Sequence, residues 1–399
     1  INRTGIAVDV PAVKAAITLV ESEKIRLTKE MHIASGGRIA TCTAVQQIKD
    51  FLEFYGISGE SLDKAAVTEH LAFPGLHPTA ARVLTLRAEA GKAATSKFTP
   101  MVNRSSTTDN RLRGAYQYSG ANTRRWAGRG VQLHNLLRAR LKHTTIAQII
   151  ESLTAGADAR LLDMCYGPPL DILGQCTRSF LQAMPGHELL VVDFSAIEAR
   201  VLAWLAGQQD VLEVFRNGKD IYKVAASQIF GCASPEDVID SQRQIGKVAT
   251  LALGFGGGVG AFQAMAKGYA VKMELAYPHL WMVATPEQRI RAEKTWESNQ
   301  AKYRATGDDI TREEFLASDL TKIFWREANP AIVGYWSTVE EAAIRAVLQP
   351  GTFHTPGHSL HPIRFKKAGS FLWCKLPGGG VICYPYPEVR TVKTPWGAS

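Results

Sequence analysis

Arg243-Gln-Ile-Gly-Lys247-Val-Ala-Thr-Leu251-Ala-Leu-Gly-Phe255-Gly-Gly-Gly-Val-Gly260 decides how the rest of the chain is read. Its tail, Gly256-Gly-Gly258-Val-Gly-Ala261, fits the dinucleotide-loop pattern G-x-G-x-x-A. Its front half sets two cations and an aromatic at steps of four. In a helix, four residues advance about 400°, so Arg243, Lys247, Leu251 and Phe255 share one face. The helix dipole disfavours cations near an N-terminus. A bound polyanion changes that, because exposed N–H groups and both side chains then point at it. The face suits a triphosphate over the first two turns and a base near Phe255. On spacing alone, a surface helix with solvated cations fits equally well. The dinucleotide reading needs a strand before the loop, a helix after it and an acid about 20 residues on. Glu274 stands near that distance, but the run before the glycines has helical rather than strand spacing.

The 399 residues suffice for two or three domains or subdomains. Hydrophobic content of 46% and charged content of 21% are those of a folded protein. Lys and Arg number 46 against 37 Asp and Glu, an excess that favours a polyanionic partner. Cysteines stand at 42, 165, 176, 232, 374 and 383 with no C-x-x-C pair and no His cluster, which argues against a zinc site or disulfide framework. A reducing cytosol is the default for such usage. No apolar run reaches membrane-span length, so no membrane partner is expected. The chain opens on Ile1 and stops at Thr394-Pro-Trp-Gly-Ala-Ser399 with no helix or strand being closed there, and both ends read as cut from a longer polypeptide.

Residues 1 to about 95 read as helical: Ala12–Glu30 after Asp9 and Pro11, Ala44–Tyr55 ended by Gly56, and Thr79–Ala90 with Gly91 following. Cations then recur at 97, 104, 111, 113, 124, 125, 129, 138, 140 and 142, with Tyr116, Tyr118 and Trp126 interleaved and Asp109 the one acid. That is a solvated basic face or a surface that neutralises phosphates and stacks on bases. Glu188-Leu-Leu-Val-Val-Asp193 reads as a buried strand ending in a carboxylate, and Ser195-Ala-Ile-Glu198 as the capping box of the next helix. Helices are expected at Pro286–Asn299 and Thr311–Phe324, and strands at Phe371–Leu376 and Val381–Tyr386.

Asp193-Phe-Ser-Ala-Ile-Glu198-Ala-Arg200 resembles motif A of family A DNA polymerases, D-Y-S-Q-I-E-L-R. Arg243, Lys247, Phe255 and Gly256 stand in register with that family's motif B, R-x-x-x-K-x-x-x-x-x-x-x-Y-G. Thr123-Arg-Arg125-Trp-Ala-Gly-Arg129-Gly-Val-Gln132-Leu-His134-Asn135-Leu-Leu137 is similar, without gaps, to its T-G-R-L-S-S-T-D-P-N-L-Q-N-I-P block. Asp220-Ile-Tyr222 through Phe230-Gly231 resembles the approach to the fingers, and Tyr118 through Trp126 is nearest the phage branch. The resemblance covers nearly the whole chain.

The resemblance implies a mostly helical α+β right hand: thumb and approach at 1–110, first part of the palm at 111–209, fingers at 210–344 and the palm continued at 345–399. The implied reaction adds dNMP to a primer 3′-hydroxyl. Two Mg²⁺ about 3.5–4 Å apart would assist it. Primer–template DNA and dNTPs are the implied partners, and protein partners are left unknown. The implied setting is the cytoplasm of a bacterium or a phage-infected host. Asp193 would hold both metals, with the Phe194 carbonyl assisting. Arg243 and Lys247 would hold the β- and γ-phosphates, Lys247 also protonating the leaving group. Glu198 would block a ribose 2′-hydroxyl, and Phe255 and Gly256 would border the nascent pair and templating base. Arg125 would read the minor groove at the primer end. Gln132, His134 and Asn135, with Arg124 and Arg129, would contact DNA nearby.

Leu251 departs from the family's usual Phe or Tyr, leaving sugar preference open. Tyr222 stands where many members carry a phosphate-binding His, and Phe255 lacks the usual Tyr hydroxyl. Ala196 and His134 each replace a common Gln, and Leu137 replaces a Pro. Motif C, a His-Asp-Glu that supplies the second metal-binding aspartate, occurs nowhere, although Lys375 to Tyr384 resembles the segment upstream of it. Losing one oxyanion-hole donor costs about 10²–10³ in rate, and losing a metal-binding carboxylate should cost as much. This segment is therefore expected to be nearly inactive alone. The rivals are a non-catalytic primer–template binder, a single-subunit RNA polymerase and a dinucleotide-dependent oxidoreductase.

Overall fold

The structure, a computed structural model, describes residues 2–58, 61–91, 93–121, 123–306, 310–357, 362–391, 393–394 and 397–398. Asn122 of the phage-like segment and Pro395, Trp396 and Ser399 lie outside them. The chain forms two compact units, Ile1–Val191 and Val192–Ser399.

The first unit is built on the helix Val10–Ala34. Asp9 caps it by accepting from the Ala12 N–H at 3.1 Å, and Pro11 fills a first-turn position whose N–H has no helical acceptor. Its apolar stripe, including Val13, Leu19, Leu27 and Met31, is buried. Helices Val45–Glu53, Pro78–Ala90, His143–Thr154 and Pro169–Cys176 contribute to the same core. Gly56 (φ +75°) follows one expected helix and Gly91 caps another, as their positions in the sequence anticipate. Strand Ile6–Val8 pairs antiparallel with Arg111–Leu112 on one side and Leu181–Gln182 on the other. Phe98 and Phe180 meet edge to face beneath it, 5.4 Å between centroids.

The second unit centres on Asp240–Leu253, the helix of the quoted stretch. It crosses Ile221–Phe230 so closely that a Cβ on Gly246 would lie 2.2 Å from the Tyr222 carbonyl oxygen. Helix Arg312–Ala328 buries Leu316, Leu320 and Ile323 against this pair. Thr311 caps it, accepting from the Glu314 N–H. Helix Pro330–Leu348 packs Ala342 and Ala346 on Phe365, Leu372 and Cys374 of a three-stranded antiparallel sheet, Arg364–Ala368, Phe371–Lys375 and Val381–Pro385. The expected C-terminal strands are therefore present. A short pairing of Lys393–Thr394 with Gly397–Ala398 follows, where the sequence reading has no strand.

Two local expectations fail. Glu188–Asp193 is not a strand: no described residue pairs with it, and Leu190, Val191 and Val192 are 87%, 94% and 91% exposed. A strand is completed by a neighbour's N–H and C=O groups, and apolar content alone does not supply them. The capping box at Ser195 does not form either. Ala196, in the left-handed region at φ +48°, precedes the helix Ile197–Ala206, and no side chain caps its N-terminus. The Ser195 carbonyl instead accepts from Arg200 Nε at 2.8 Å.

Candidate nucleotide site

The helix Ile197–Ala206 places Glu198 in its first turn, half-buried, while Asp193 and Phe194 arrive on the exposed segment before it. These three side chains border a half-open cavity of about 330 Å³. Tyr222 and Ile221 reach it from the start of the next long helix, Leu251 and Thr250 from the last turn of Asp240–Leu253, and Phe255 from the turn beyond. Trp325, Asn329 and Ile332 close the far side. Six sequence-selected residues thus share one cavity: Asp193, Phe194, Glu198, Tyr222, Leu251 and Phe255. Its wall is largely apolar, with the carboxylates of Asp193, Glu198 and Asp210 on it.

Arg243 and Lys247 do not line this cavity; they stand about two turns and one turn back from Leu251 along the same helix. Arg243 Nε donates to Asp220 Oδ2 at 2.7 Å, and its guanidinium lies 5.4 Å from the Tyr222 ring centre. Lys247 Nζ lies 4.6 Å from the Tyr269 ring centre. Both cations are thus oriented by aromatic faces. Asp220 is a site residue the sequence reading missed. Its Oδ1 caps Ile221–Phe230 through the N–H groups of Tyr222 and Lys223, while Oδ2 takes Arg243. Burial works to raise this carboxyl, but the hydrogen bonds from Arg243 and the two N–H groups outweigh it and hold it below the usual carboxylate range. Burial pushes the Tyr222 phenol up. An Asp directly before an apolar helix is a cap signal in any sequence; its second bond, to a residue 23 positions on, is not.

Helix Asp240–Leu253 stops before Phe255, so that ring stands on a turn and not on the expected fourth helical step. Gly256 follows at φ +77°, and Gly256–Gly258 lead into a second helix, Val259–Gly268. A helix precedes the glycines where a dinucleotide loop requires a strand, which removes that reading.

The remaining selected residues belong to the first unit. Ala127–Gly128 pairs with Tyr116–Gln117 in a hairpin, and exposed Tyr118 and Trp126 meet edge to face at 5.3 Å. Arg129 Nε donates to the Gln117 side chain at 2.8 Å. Gln132, left-handed at φ +55°, accepts from Lys97 at 3.3 Å and starts the short turn that carries exposed His134 and Asn135. Arg124 is left-handed at φ +63°, and Arg125 is exposed.

Cations behind an apolar cavity edged with carboxylates can take a ligand that is a flat ring at one end and a polyanion at the other, as a nucleotide is. The family model for DNA polymerase family A matches residues 21–268. The chain belongs to that family. It is 34% identical over 392 residues to the DNA polymerase of Bacillus phage SP02, covering 98% of this chain and 52% of the phage protein. It is 26% identical over 261 residues to the thermostable DNA polymerase I of Thermus thermophilus, 63% of this chain and 27% of that one. The chain thus spans about half the length of the phage relative. Among solved structures, the polymerase domain of Pol1 from M. smegmatis, in complex with DNA primer-template and dNTP, aligns with 89% of this chain and 60% of that one at a TM-score of 0.47 and 15% identity. No helix of the described residues is long and apolar enough to cross a membrane.

Proposed function

We propose that the chain carries the nucleotide-selecting part of template-directed DNA synthesis, in which a primer 3′-hydroxyl attacks the α-phosphate of a dNTP and pyrophosphate leaves. The observation that carries this reading is the single cavity that gathers Asp193, Glu198, Tyr222, Leu251 and Phe255 at the end of the helix bearing Arg243 and Lys247. Phosphoryl transfer depends mainly on positioning and charge neutralisation, which these residue types supply. Arg243, steadied at Nε, keeps its terminal nitrogens for phosphate oxygens, and Lys247 adds a point charge and a proton for the leaving group. On the same cavity, Glu198 would exclude a sugar 2′-hydroxyl and Phe255 would border the base. In the same reading the exposed basic hairpin with Arg124, Arg125 and Arg129, and Gln132, His134 and Asn135 beside it, contact primer–template DNA. The division into thumb, palm and fingers belongs to this proposal, as does the intracellular setting.

Two Mg²⁺ ions would supply charge neutralisation at the reacting phosphate. Magnesium takes octahedral oxygen sites built from one or two carboxylates, phosphates and water. Asp193 and the Phe194 carbonyl are suitable donors. Among the described residues, though, no three His, Cys, Asp or Glu side chains converge as a metal site. The donors among the described residues do not make up a two-ion set, and no step is routed through one. That incomplete set favours a second reading for this chain taken alone: it binds primer–template and dNTP without rapid synthesis.

One experiment addresses both. The chain is titrated with a dideoxy-terminated primer–template and the matched dNTP, and is then tested for Mg²⁺-dependent extension of an ordinary primer. Matched-dNTP binding with little extension is expected. Rapid extension overturns the incomplete donor set, and absence of any DNA or dNTP binding overturns the polymerase reading. Glu198→Ala is expected to bind the matching ribonucleotide nearly as well as the dNTP. Unchanged rejection would remove Glu198 from the sugar-excluding role.

A further inference from the structure

Phe255 is the most exposed aromatic on the cavity apart from Phe194, and it stands between glycines. Glycines lose more backbone freedom on ordering than any other residue, so a ring on this turn needs an external hold. The hold comes from two other helices. Trp336 Nε1–H donates to the Gly254 carbonyl at 3.2 Å, and an Arg326 terminal nitrogen donates to the Gly257 carbonyl at 3.1 Å. The bonds flank Phe255, one on each side. Their donors also touch each other, with the Arg326 guanidinium 5.6 Å from the Trp336 ring centre. Trp336 stacks on Trp325 at 6.2 Å and 11°, and Trp325 lines the cavity with Phe255.

The turn itself is drawn in tightly. A Cβ on Gly257 would lie 2.1 Å from the Ala252 carbonyl oxygen, and one on Gly254 2.9 Å from that of Thr250. Arg326 is half-buried, and its Nε has no hydrogen-bond partner among the described residues. Burying a guanidinium costs stability unless its bonds recover it. This one reaches a backbone carbonyl and a ring, so its chief effect is on the turn.

We propose that Arg326 and Trp336 are positioning residues for Phe255: by fixing the Gly254 and Gly257 carbonyls they hold the ring at one angle to the base in the cavity, and so set discrimination between matched and mismatched nucleotides. The proposal rests on the polymerase reading above.

The test uses Trp336→Phe, which keeps the ring stack and removes the donor, and Arg326→Met, with Arg326→Lys as the conservative rescue. The free chain is followed by hydrogen exchange at the amides of residues 255–258. The same proteins are titrated with matched and mismatched dNTPs on a dideoxy-terminated primer–template. Exchange at the turn is expected to quicken in the first two variants. Their matched-to-mismatched affinity ratio should fall by about threefold to tenfold each, the size of one net hydrogen bond. Arg326→Lys should recover most of that ratio. In a Phe255→Ala background neither variant should lower it further. Faster exchange with undiminished discrimination overturns the proposal, as does a further fall in the Phe255→Ala background. If Arg326→Met does not fold, Trp336→Phe carries the test. A wild-type chain that binds no dNTP overturns the polymerase reading and the role of the turn together. That outcome is distinct from failure of the brace alone, in which wild type and variants discriminate equally.

Discussion

The helix Asp240–Leu253 and the segment Glu188–Glu198 are the two halves of the candidate site, and they behave in opposite ways. The first forms the expected helix, with Arg243, Lys247 and Leu251 on one face, and stops only two residues short of Phe255. The second carries the expected carboxylates, yet neither its strand nor its capping box forms. A helix satisfies its N–H and C=O groups within its own segment, so spacing alone foretells it. A strand takes all its ladder hydrogen bonds from other segments, and no local pattern says whether that partner is in place.

The largest expected effect falls on the well-formed half. Lys247→Ala should slow dNTP incorporation by about 10²-fold or more in a primer-extension assay of a polymerase containing this chain. An unchanged rate would mean that the shared helix face carries solvated cations and no phosphate site. Next is Gly246→Ala, which drives a methyl group into the Tyr222 carbonyl across the helix crossing. It should cost about 1–3 kcal/mol in thermal or denaturant unfolding, with loss of dNTP binding as Arg243 and Tyr222 are pushed apart. An unaltered melting temperature would show that the crossing is looser than described.

Asp220 separates the cap from the ion pair. Asp220→Ala should lose about 1 kcal/mol of helix capping, while Asp220→Asn keeps a capping oxygen and loses only the charge facing Arg243. The pH dependence has a definite sign. The folded carboxyl sits below its unfolded value, so its stabilisation is complete above the unfolded pKa of about 4 and is lost as pH falls through the lower folded value. Asp220→Asn should flatten that part of an acid-unfolding curve, and a curve identical to wild type would deny the Arg243 tether. The smallest effect belongs to the other half. Val191→Thr, at a side chain 94% exposed, should change stability by no more than about 0.5 kcal/mol. A loss above 1 kcal/mol would mean that Glu188–Asp193 is buried as a strand in solution after all.

Much of the second unit was legible in the sequence. Asp193, Glu198, Leu251 and Phe255 were selected by motif and spacing, and they border one cavity. Helix starts at Asp9 and Thr311 and helix ends at Gly56 and Gly91 could be read because caps are local chemistry. Asp220, Tyr269, Arg326 and Trp336 were not legible as site residues. Arg326 meets the turn 69 positions earlier in the chain, and a contact of that separation leaves no period in the sequence.

The amino-acid sequence by itself determined the family and the helical periods, and it singled out the candidates for phosphate and base, because these are matters of residue type and short spacing. The tertiary structure decided that Arg243 is held by Asp220, that Phe255 leaves its helix for a braced glycine turn, and that Ala196 rather than Ser195 starts the helix bearing Glu198. Those outcomes depend on which surfaces packing brings into contact, and close packing is a property of the folded chain as a whole.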